Sequence, residues 1–514
     1  MTNMSDSSTV IHTTAGRVQG VDAAGVTSWK GIPFAQPPVG PLRWRAPLPA
    51  EPWDDIRDAT EFGPAAPQII TPAISLGPNP VMNEDCLSLN VWRASEATEP
   101  IPVMVWIHGG AYTFGSTRQP LYDGTNFAST GEVVIVTINY RIGALGFLDL
   151  SSLSTPDEQF DSNLALRDVL LALEWVRDNI AAFGGDPSRV TVFGESAGGG
   201  LVTTLLAVPS AEGLFHQAIA ESSPVSSMYD SARAATVAER MLTQLHIDRS
   251  DPARLRQISA DDIVAAGTIV YAAVPSEQPG TLAFAPVVDR ELLPEHPVTV
   301  LSQGRGLPIP LMIGTNKDEA SLFKFMKSPL MPISEQSITA MMEAIAAEKP
   351  DAELPTREQL LSAYAGVRAQ AVGLGIARDI GFRMPTLWVA EGHSRTAPVW
   401  LYRFDFTTTM FRLIGLGATH AAELAYVWGN LDKKDVAFRL GGFGRGAALS
   451  RRMQARWRTF AITGAPTGPE GEPEWETFDT DRRATLVFDR SDTLVDDLDA
   501  ALRAAWGDSV VSFT

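Results

Sequence analysis

The strongest constraint on this chain is a sharp turn written into residues 190–207. Val190 to Phe193 is a short apolar run of strand type. Gly194-Glu195-Ser196-Ala197-Gly198 follows, then a small-residue apolar helical stretch that reaches Ala207. Strand, glycine-bracketed serine and helix together make a G-x-S-x-G arrangement. A serine on so tight a turn projects its oxygen clear of the backbone. Flanking glycines let neighbouring chain approach. The helix that starts at the serine points its positive end at negative charge developing there. The bare pattern is weak in a chain with 42 glycines, so the strand before it and the helix after it carry the reading.

The same alternation runs through the first half of the chain. Val103 to Ile107 and Val133 to Ile138 are continuous apolar runs, suited to strands buried on both faces of a parallel sheet. From Asp161 or Ser162 a helical spacing begins, with Leu166, Val169, Leu170, Leu173, Val176 and Ile180 at intervals of three and four. Gly184-Gly185 ends it. Strand, helix, strand, helix predicts an α/β fold with a mostly parallel sheet flanked by helices. The glycine- and proline-rich first fifty residues, with short pieces such as Gly16 to Val21, predict a small N-terminal antiparallel sheet beside it. Residues 321–399 read mainly helical and fit an insertion over the site. Ser450 to Gly464 reads as a last long helix. The expected organisation is a polar tail over 1–10 and one domain over 11–514.

Composition excludes several function classes. A net charge of −19 repels phosphate backbones, which argues against a nucleic-acid partner. The single cysteine, Cys86, cannot form an intramolecular disulfide, and no four-ligand Cys/His cluster is present to bind structural zinc. The polar start, Met1 to Val10, lacks the apolar stretch of a secretion signal. No apolar run approaches the roughly 18 residues of a spanning helix. A cytoplasmic protein with no membrane partner is the expectation.

A serine nucleophile needs backbone donors, a base and an acid. Ala197, just after the serine, supplies one N–H. His108-Gly109-Gly110-Ala111 directly follows the Val103–Ile107 strand and makes Gly110 and Ala111 the other candidates for an oxyanion hole. His108 is expected to order that loop, because the base comes last in chain order in this arrangement. Of the late histidines, His420 ends the loop from Gly415 and precedes a helical stretch. His393 lies in a polar helical stretch and is expected to face solvent. Leu311 to Ile313 is a strand that leads to Asp318-Glu319, and spacing alone does not choose between these two carboxylates.

Together these pieces, with Lys30-Gly31-Ile32-Pro33-Phe34-Ala35, Glu84-Asp85-Cys86-Leu87-Ser88-Leu89-Asn90-Val91, Asn139-Tyr140-Arg141-Ile142-Gly143 and Phe183-Gly184-Gly185-Asp186-Pro187, resemble the type-B carboxylesterase/lipase family over nearly the whole chain. The character is that of the bacterial para-nitrobenzyl esterases. The resemblance implies an α/β-hydrolase fold and hydrolysis of small to medium, largely apolar esters through an acyl-enzyme, with no cofactor and no metal. An amidase or carbamate hydrolase would use the same machinery. A non-catalytic binding protein of the same fold is the reading from another class, and retention of all three reacting residues counts against it.

By resemblance the acid is Glu319 and the base His420. Gly110, Ala111 and Ala197 form the oxyanion hole, and Glu195 and Ser222 support the triad. The expected partner is a small ester, and the chain is expected to act as a monomer or weak homo-oligomer. Ala320 and Ala421 stand where relatives carry glycine, so packing beside acid and base is expected to differ. Ala66 stands where many relatives carry a cysteine paired with the Cys86 position. The Gln68–Asn83 loop lacks the tryptophan with which cholinesterases bind quaternary ammonium, which argues against that specificity. Walls of the substrate pocket are expected from 67–81, Phe114, 223–228, 271–280, 322–326 and 410–416, with Phe323, Phe325, Met326, Met410 and Phe411 lining an apolar gorge.

Overall fold

A computed structural model describes residues 9–71, 74–96, 99–507 and 509–513. Most of the polar tail expected over 1–10 therefore lies outside the described residues. The centre is a large sheet of eleven strands: β1 (Val21–Ala23), β2 (Val26–Pro33), β3 (Ser88–Ala94), β4 (Ile101–Ile107), β5 (Val134–Ile138), β6 (Gly185–Glu195), β7 (Gln217–Glu221), β8 (Leu311–Asn316), β9 (Val399–Phe404), β10 (Thr485–Phe488) and β11 (Thr493–Val495). Their spatial order is β11-β10-β9-β8-β7-β6-β4-β5-β3-β2-β1. From β10 across to β5 every pairing is parallel, and the strands at both margins pair antiparallel. This is the α/β-hydrolase architecture.

The apolar runs work as strands because both faces are covered. Along β4 the side chains alternate: Val103, Val105 and Ile107 join one apolar core, while Met104 and Trp106 join the core on the opposite face. The first core is packed by helices α1 (Leu164–Asn179) and α2 (Ala197–Leu205) and by α3 (Ser231–Leu245) and α4 (Ala260–Glu277). The second core holds an aromatic nest. Trp106 lies 4.8 Å from Phe193 and 5.3 Å from Trp428, centroid to centroid. Such pairs add about 0.5–1.5 kcal/mol each beyond their buried area.

The N-terminal region forms the expected small antiparallel sheet and adds one parallel strand to it. The strand-like piece from Gly16 to Val21 is split at Gly20. Arg17–Gln19 pairs with Val10–His12 antiparallel and with Ile56–Asp58 parallel, so the small sheet is mixed. The chain then steps into β1 of the large sheet. A Cβ on Gly20 would sit 2.4 Å from the Ser28 carbonyl, and this close approach is what lets the chain change sheets there.

Residues 320–393 are mainly helical, with α5 (Ala320–Phe325), α6 (Glu335–Glu348), α7 (Ala369–Arg378) and α8 (Met384–His393). Between α7 and α8 lies one wide π turn, Asp379–Arg383. The long helix expected over 450–464 runs from Phe443 to Thr463 (α9). It is not the last, because α10 (Ala500–Trp506) follows β11. His393 is buried rather than solvent-facing, with Nε2 2.8 Å from the Ile309 carbonyl oxygen. Its helix is buried nearly all round, and a Cβ on the neighbouring Gly392 would lie 2.2 Å from the Leu301 oxygen. A polar-looking helix segment thus packs against chain on every side.

Candidate active site

Five neighbouring strands of the sheet each send one component of the site out of their C-terminal ends. The loop after β4 carries Gly109 to Ala111, and β6 ends at the turn holding Ser196. Ser222 follows β7, Glu319 follows β8, and the segment after β9 leads to His420. Ligand sites in open α/β sheets lie beyond this edge.

Ser196 adopts φ 55° and ψ −124°, outside the regions that side-chain-bearing residues prefer. The strain is held by close packing. A Cβ on Gly198 would lie 2.0 Å from the Ile107 carbonyl oxygen, and one on Gly194 would lie 2.7 Å from the same atom. Only hydrogen fits at either place. The Ser196 N–H donates to the Glu221 carbonyl at 2.9 Å, which ties the turn to β7. The hydroxyl then stands at the start of α2.

The loop after β4 is bent by Gly110 (φ 120°) and continues through Ala111 (φ 51°) and Tyr112 (φ 58°). The backbone N–H groups of Gly110, Ala111 and Ala197 donate to no acceptor among the described residues, and all three residues line the same cavity as Ser196. Free N–H donors lining the same cavity as a hydroxyl can receive a developing oxyanion. His108 takes no part in that contact. Its ring stacks on Tyr140 at 4.4 Å, its Nδ1 is 2.9 Å from the Gly109 oxygen, and burial pushes its pKa down to about 4. It is a neutral brace under the loop.

His420 Nε2 lies 2.8 Å from Ser196 Oγ, and Nδ1 lies 2.6 Å from Glu319 Oε2. The other carboxyl oxygen of Glu319 accepts from Ser222 Oγ and from the Asn316 N–H, both at 2.6 Å. Asp318, the alternative carboxylate, turns elsewhere. Its Oδ2 accepts from the Ala418 N–H at 2.9 Å, and its own N–H donates to the Ala418 carbonyl at 2.9 Å. Asp318 thereby stitches the acid loop to the histidine loop. Asn316 adds a bond from Nδ2 to the Thr419 carbonyl at 2.8 Å. The imidazole lies between two phenyl rings, Phe382 at 4.8 Å and Phe323 at 5.2 Å.

Three more carboxyls are buried around this centre. Glu195 Oε1 sits 3.2 Å from His420 Nε2. Glu221 accepts from Trp457 Nε1 at 2.8 Å, and Glu423 accepts from Asn316 Nδ2. Each leaves one oxygen without a hydrogen-bond partner among the described residues. Burial pushes the Glu195 carboxyl up to about 7, with His420 opposing the rise and Glu319 adding to it. Burial also raises Glu221, to about 8, and Glu423 well above the usual carboxylate range. Burial by itself would lower the His420 pKa. The Glu195 and Glu319 carboxylates and the Glu319 hydrogen bond outweigh it and raise the ring to about 9. Glu195 and His420 therefore act on each other: the imidazole favours the Glu195 carboxylate, and that carboxylate favours the charged ring.

The cavity over Ser196 has a volume of about 490 Å³ and is mainly apolar. Its walls include Thr71, Ile74, Phe114, Pro224, Ser226, Ser227, Tyr271, Gly280, Leu322, Phe323 and Met326, all within expected segments. Phe325, Met410 and Phe411 do not line it. Phe325 is 64% exposed. Two residues along a helix is about 200° of rotation, so Phe323 and Phe325 cannot face the same way. The segment after Met410 folds back on itself, because the Leu416 and Gly417 N–H groups both donate to the Phe411 carbonyl. Walls missed in the sequence include Ile380 and Phe382 from the π turn, Met341 and Ile345 from α6, the run from Lys327 to Pro332, and Val511 to Phe513. Glu423 was missed as well, although a carboxylate three residues after His420 in an otherwise apolar stretch was a readable signal. Among the described residues no cluster of three or more histidine, cysteine, aspartate or glutamate side chains could hold a metal ion, and no helix is long and apolar enough to cross a membrane. Cys86 is buried and unpaired.

Comparison with known proteins shows the family to which this fold belongs. The model of the carboxylesterase family matches residues 7–505. The chain is 38% identical over 495 residues to the para-nitrobenzyl esterase of Bacillus subtilis strain 168, covering 96% of this chain and 97% of that one. It is 34% identical over 493 residues to the phenmedipham hydrolase of Pseudarthrobacter oxydans, covering 93% and 94%. Among solved structures, a thermophilic para-nitrobenzyl esterase superposes with a TM-score of 0.87 at 38% identity, over 97% of this chain and all of that one. A carboxylesterase of Geobacillus stearothermophilus gives a TM-score of 0.83 at 36% identity over 97% of this chain and all of that one. A strained serine at a strand-to-helix turn, an imidazole on its oxygen and a match along nearly the whole length converge on one conclusion: the chain belongs to the carboxylesterase family and is a serine hydrolase of carboxylic esters.

Proposed function

We propose that Ser196 is the nucleophile, His420 the general base and acid, and Glu319 the residue that orients and charges the imidazole. The Ser196–His420–Glu319 chain of hydrogen bonds beside three free N–H groups carries this assignment. His420 Nε2 takes the Ser196 proton as Oγ bonds to the ester carbonyl carbon. The oxyanion rests on the N–H groups of Gly110, Ala111 and Ala197. The carbon–oxygen bond to the alcohol then breaks, and His420 passes the proton to the departing oxygen. Water enters and gives a proton to His420, and its oxygen attacks the acyl-enzyme. The acid leaves as Ser196 recovers the proton. Ser222 holds Glu319 in place, and Glu195 sets the charge felt by His420.

The apolar cavity of about 490 Å³ supports small to medium, largely apolar esters as substrates. Residues 11–514 act in this reading as one domain, with the helices over 321–399 as an insertion above the site. A reducing, cytoplasmic setting fits a fold that no disulfide staples. Action as a monomer or weak homo-oligomer without a nucleic-acid partner fits the charge of −19.

The test is covalent labelling with a chromogenic ester assay beside it. An organophosphate should modify Ser196 at one per chain and abolish hydrolysis, and Ser196→Ala should lose turnover by roughly 10⁴-fold or more while keeping its fold. Wild-type rates in that variant, or an active preparation never labelled at Ser196, would overturn the assignment. Matched ester, amide and carbamate substrates in the same assay separate ester hydrolysis from the related activities on this machinery.

A further inference from the structure

We propose that residues 511–513 form the stop at one end of the substrate cavity and so set the length of chain that an ester can carry. This rests on the reading of the cavity over Ser196 as the ester site. Val511, Ser512 and Phe513 all line that cavity, together with Met341 and Ile345 of α6 and with Gly280. None of the three has a contact with Ser196, His420 or Glu319 among the hydrogen bonds and ring contacts of the structure, so they act as wall and not as reacting groups.

The segment is built in, not laid on. Val511 is fully buried and Phe513 nearly so. Lys349 Nζ, just beyond α6, donates to Ser512 Oγ at 2.9 Å. The Arg233 guanidinium of α3 covers the Phe513 ring at 5.0 Å, and the same cation pairs with Glu348 at the end of α6. At Gly280 (φ 86°) an added Cβ would lie 2.6 Å from Met341 Sδ and 3.3 Å from Phe513 Cε2. A phenyl ring and a thioether thus close over a glycine, with a cation and an ammonium holding the strap from two helices. Most of the residues at this end are apolar: Val511, Phe513, Met341 and Ile345, with Ser512 among them. An alkyl chain that reaches it meets carbon and sulfur, gains burial up to that point, and is excluded beyond it.

Truncating the stop should admit a longer chain. Each further methylene accommodated is worth about a 3- to 4-fold gain, and removing the phenyl ring frees room for several. The experiment measures kcat/KM for wild type, Phe513→Ala and Met341→Ala on two series, para-nitrophenyl alkanoates from acetate to dodecanoate and alkyl acetates of the same range. Melting curves check the fold. The decanoate-to-acetate ratio, or its counterpart in the alkyl series, should rise at least about tenfold in Phe513→Ala and in the same direction in Met341→Ala. The responding series tells whether the acyl or the alcohol chain occupies this end. If Phe513→Ala does not fold, Met341→Ala decides alone. An active wild type whose ratios move less than about twofold in every folded variant overturns this inference only. A wild type inert on both series overturns the ester-hydrolase reading itself.

Discussion

The floor of the cavity and its walls are built on different principles. The floor is backbone against backbone. Gly198 and Gly194 both meet the Ile107 carbonyl, and the Ser196 N–H is tied to the Glu221 carbonyl. Its parts leave adjacent strands of one sheet and have almost no freedom to shift. The walls are side chains on segments far apart in sequence: the π turn after α7, the inner face of α6, and residues 511–513. A side chain there can be exchanged without disturbing its neighbour's backbone. The difference separates the two tasks of such an enzyme. Chemistry depends on positions fixed to a fraction of an ångström, whereas selectivity depends on the volume left over.

That contrast is open to test, starting where the floor is most constrained. Glu319→Gln keeps the shape but removes the charge that supports imidazolium, and kcat should fall by about 10³- to 10⁴-fold. A loss under tenfold, measured with a saturating chromogenic ester, would mean that another carboxyl does this work. Gly198→Ala forces a Cβ into the Ile107 oxygen. A displacement of about 1 Å is worth roughly 10²-fold in rate, so kcat should drop by at least that much with a lowered melting temperature. Near-normal activity would show that the floor yields as readily as the walls.

Glu195→Gln changes charge with little change in form. The Glu195 carboxylate is one of the groups that raise His420, and the base must be neutral to act. Activity in the wild type should therefore climb from neutral toward alkaline pH. In Glu195→Gln the raising charge is gone, the His420 pKa falls, and the rising limb of the pH–rate profile should move to lower pH. A limb that stays put, or moves up, contradicts the coupling. The smallest effect concerns Ala421, which sits at φ 62° beside the base. Left-handed backbone costs a side-chain-bearing residue about 1–2 kcal/mol, partly offset by the extra freedom of glycine in the unfolded chain. Ala421→Gly should raise stability by about 0.5–1 kcal/mol, read as a higher melting temperature with kcat little changed.

The same division explains what could be read in the sequence. The candidates Ser196, Asp318-Glu319 and His420 were legible because each sits in a short local pattern: a strand end followed by a turn for the serine and the carboxylate pair, and a glycine-rich loop before a helical stretch for the histidine. Choosing Glu319 over Asp318 was not legible from spacing, because adjacent carboxylates differ only in where the loop points them. It took the resemblance to relatives to choose. His393 misled for a related reason: polarity along one helix says nothing of a second helix packed over it. The walls were only partly legible. Phe323 and Met326 follow the acid closely and share its neighbourhood, but Ile380, Phe382 and Phe513 reach the cavity through tertiary packing that leaves no local trace. The π turn in particular shifts the helical face by an amount that a 3.6-residue period does not anticipate. The mixed small sheet was half legible, since Gly20 marks a break without saying which sheet each side joins.

The arrangement of one component per strand end has a consequence for how this protein can be assembled from its unfolded chain. A slip of a single residue between two neighbouring parallel strands moves one component by about 3.3 Å, more than the 2.8 Å that separates Ser196 Oγ from His420 Nε2. Turnover recovered on refolding is therefore a gauge of strand alignment across five neighbours at once, and it reports a mis-threaded sheet that gross secondary-structure content would pass as native.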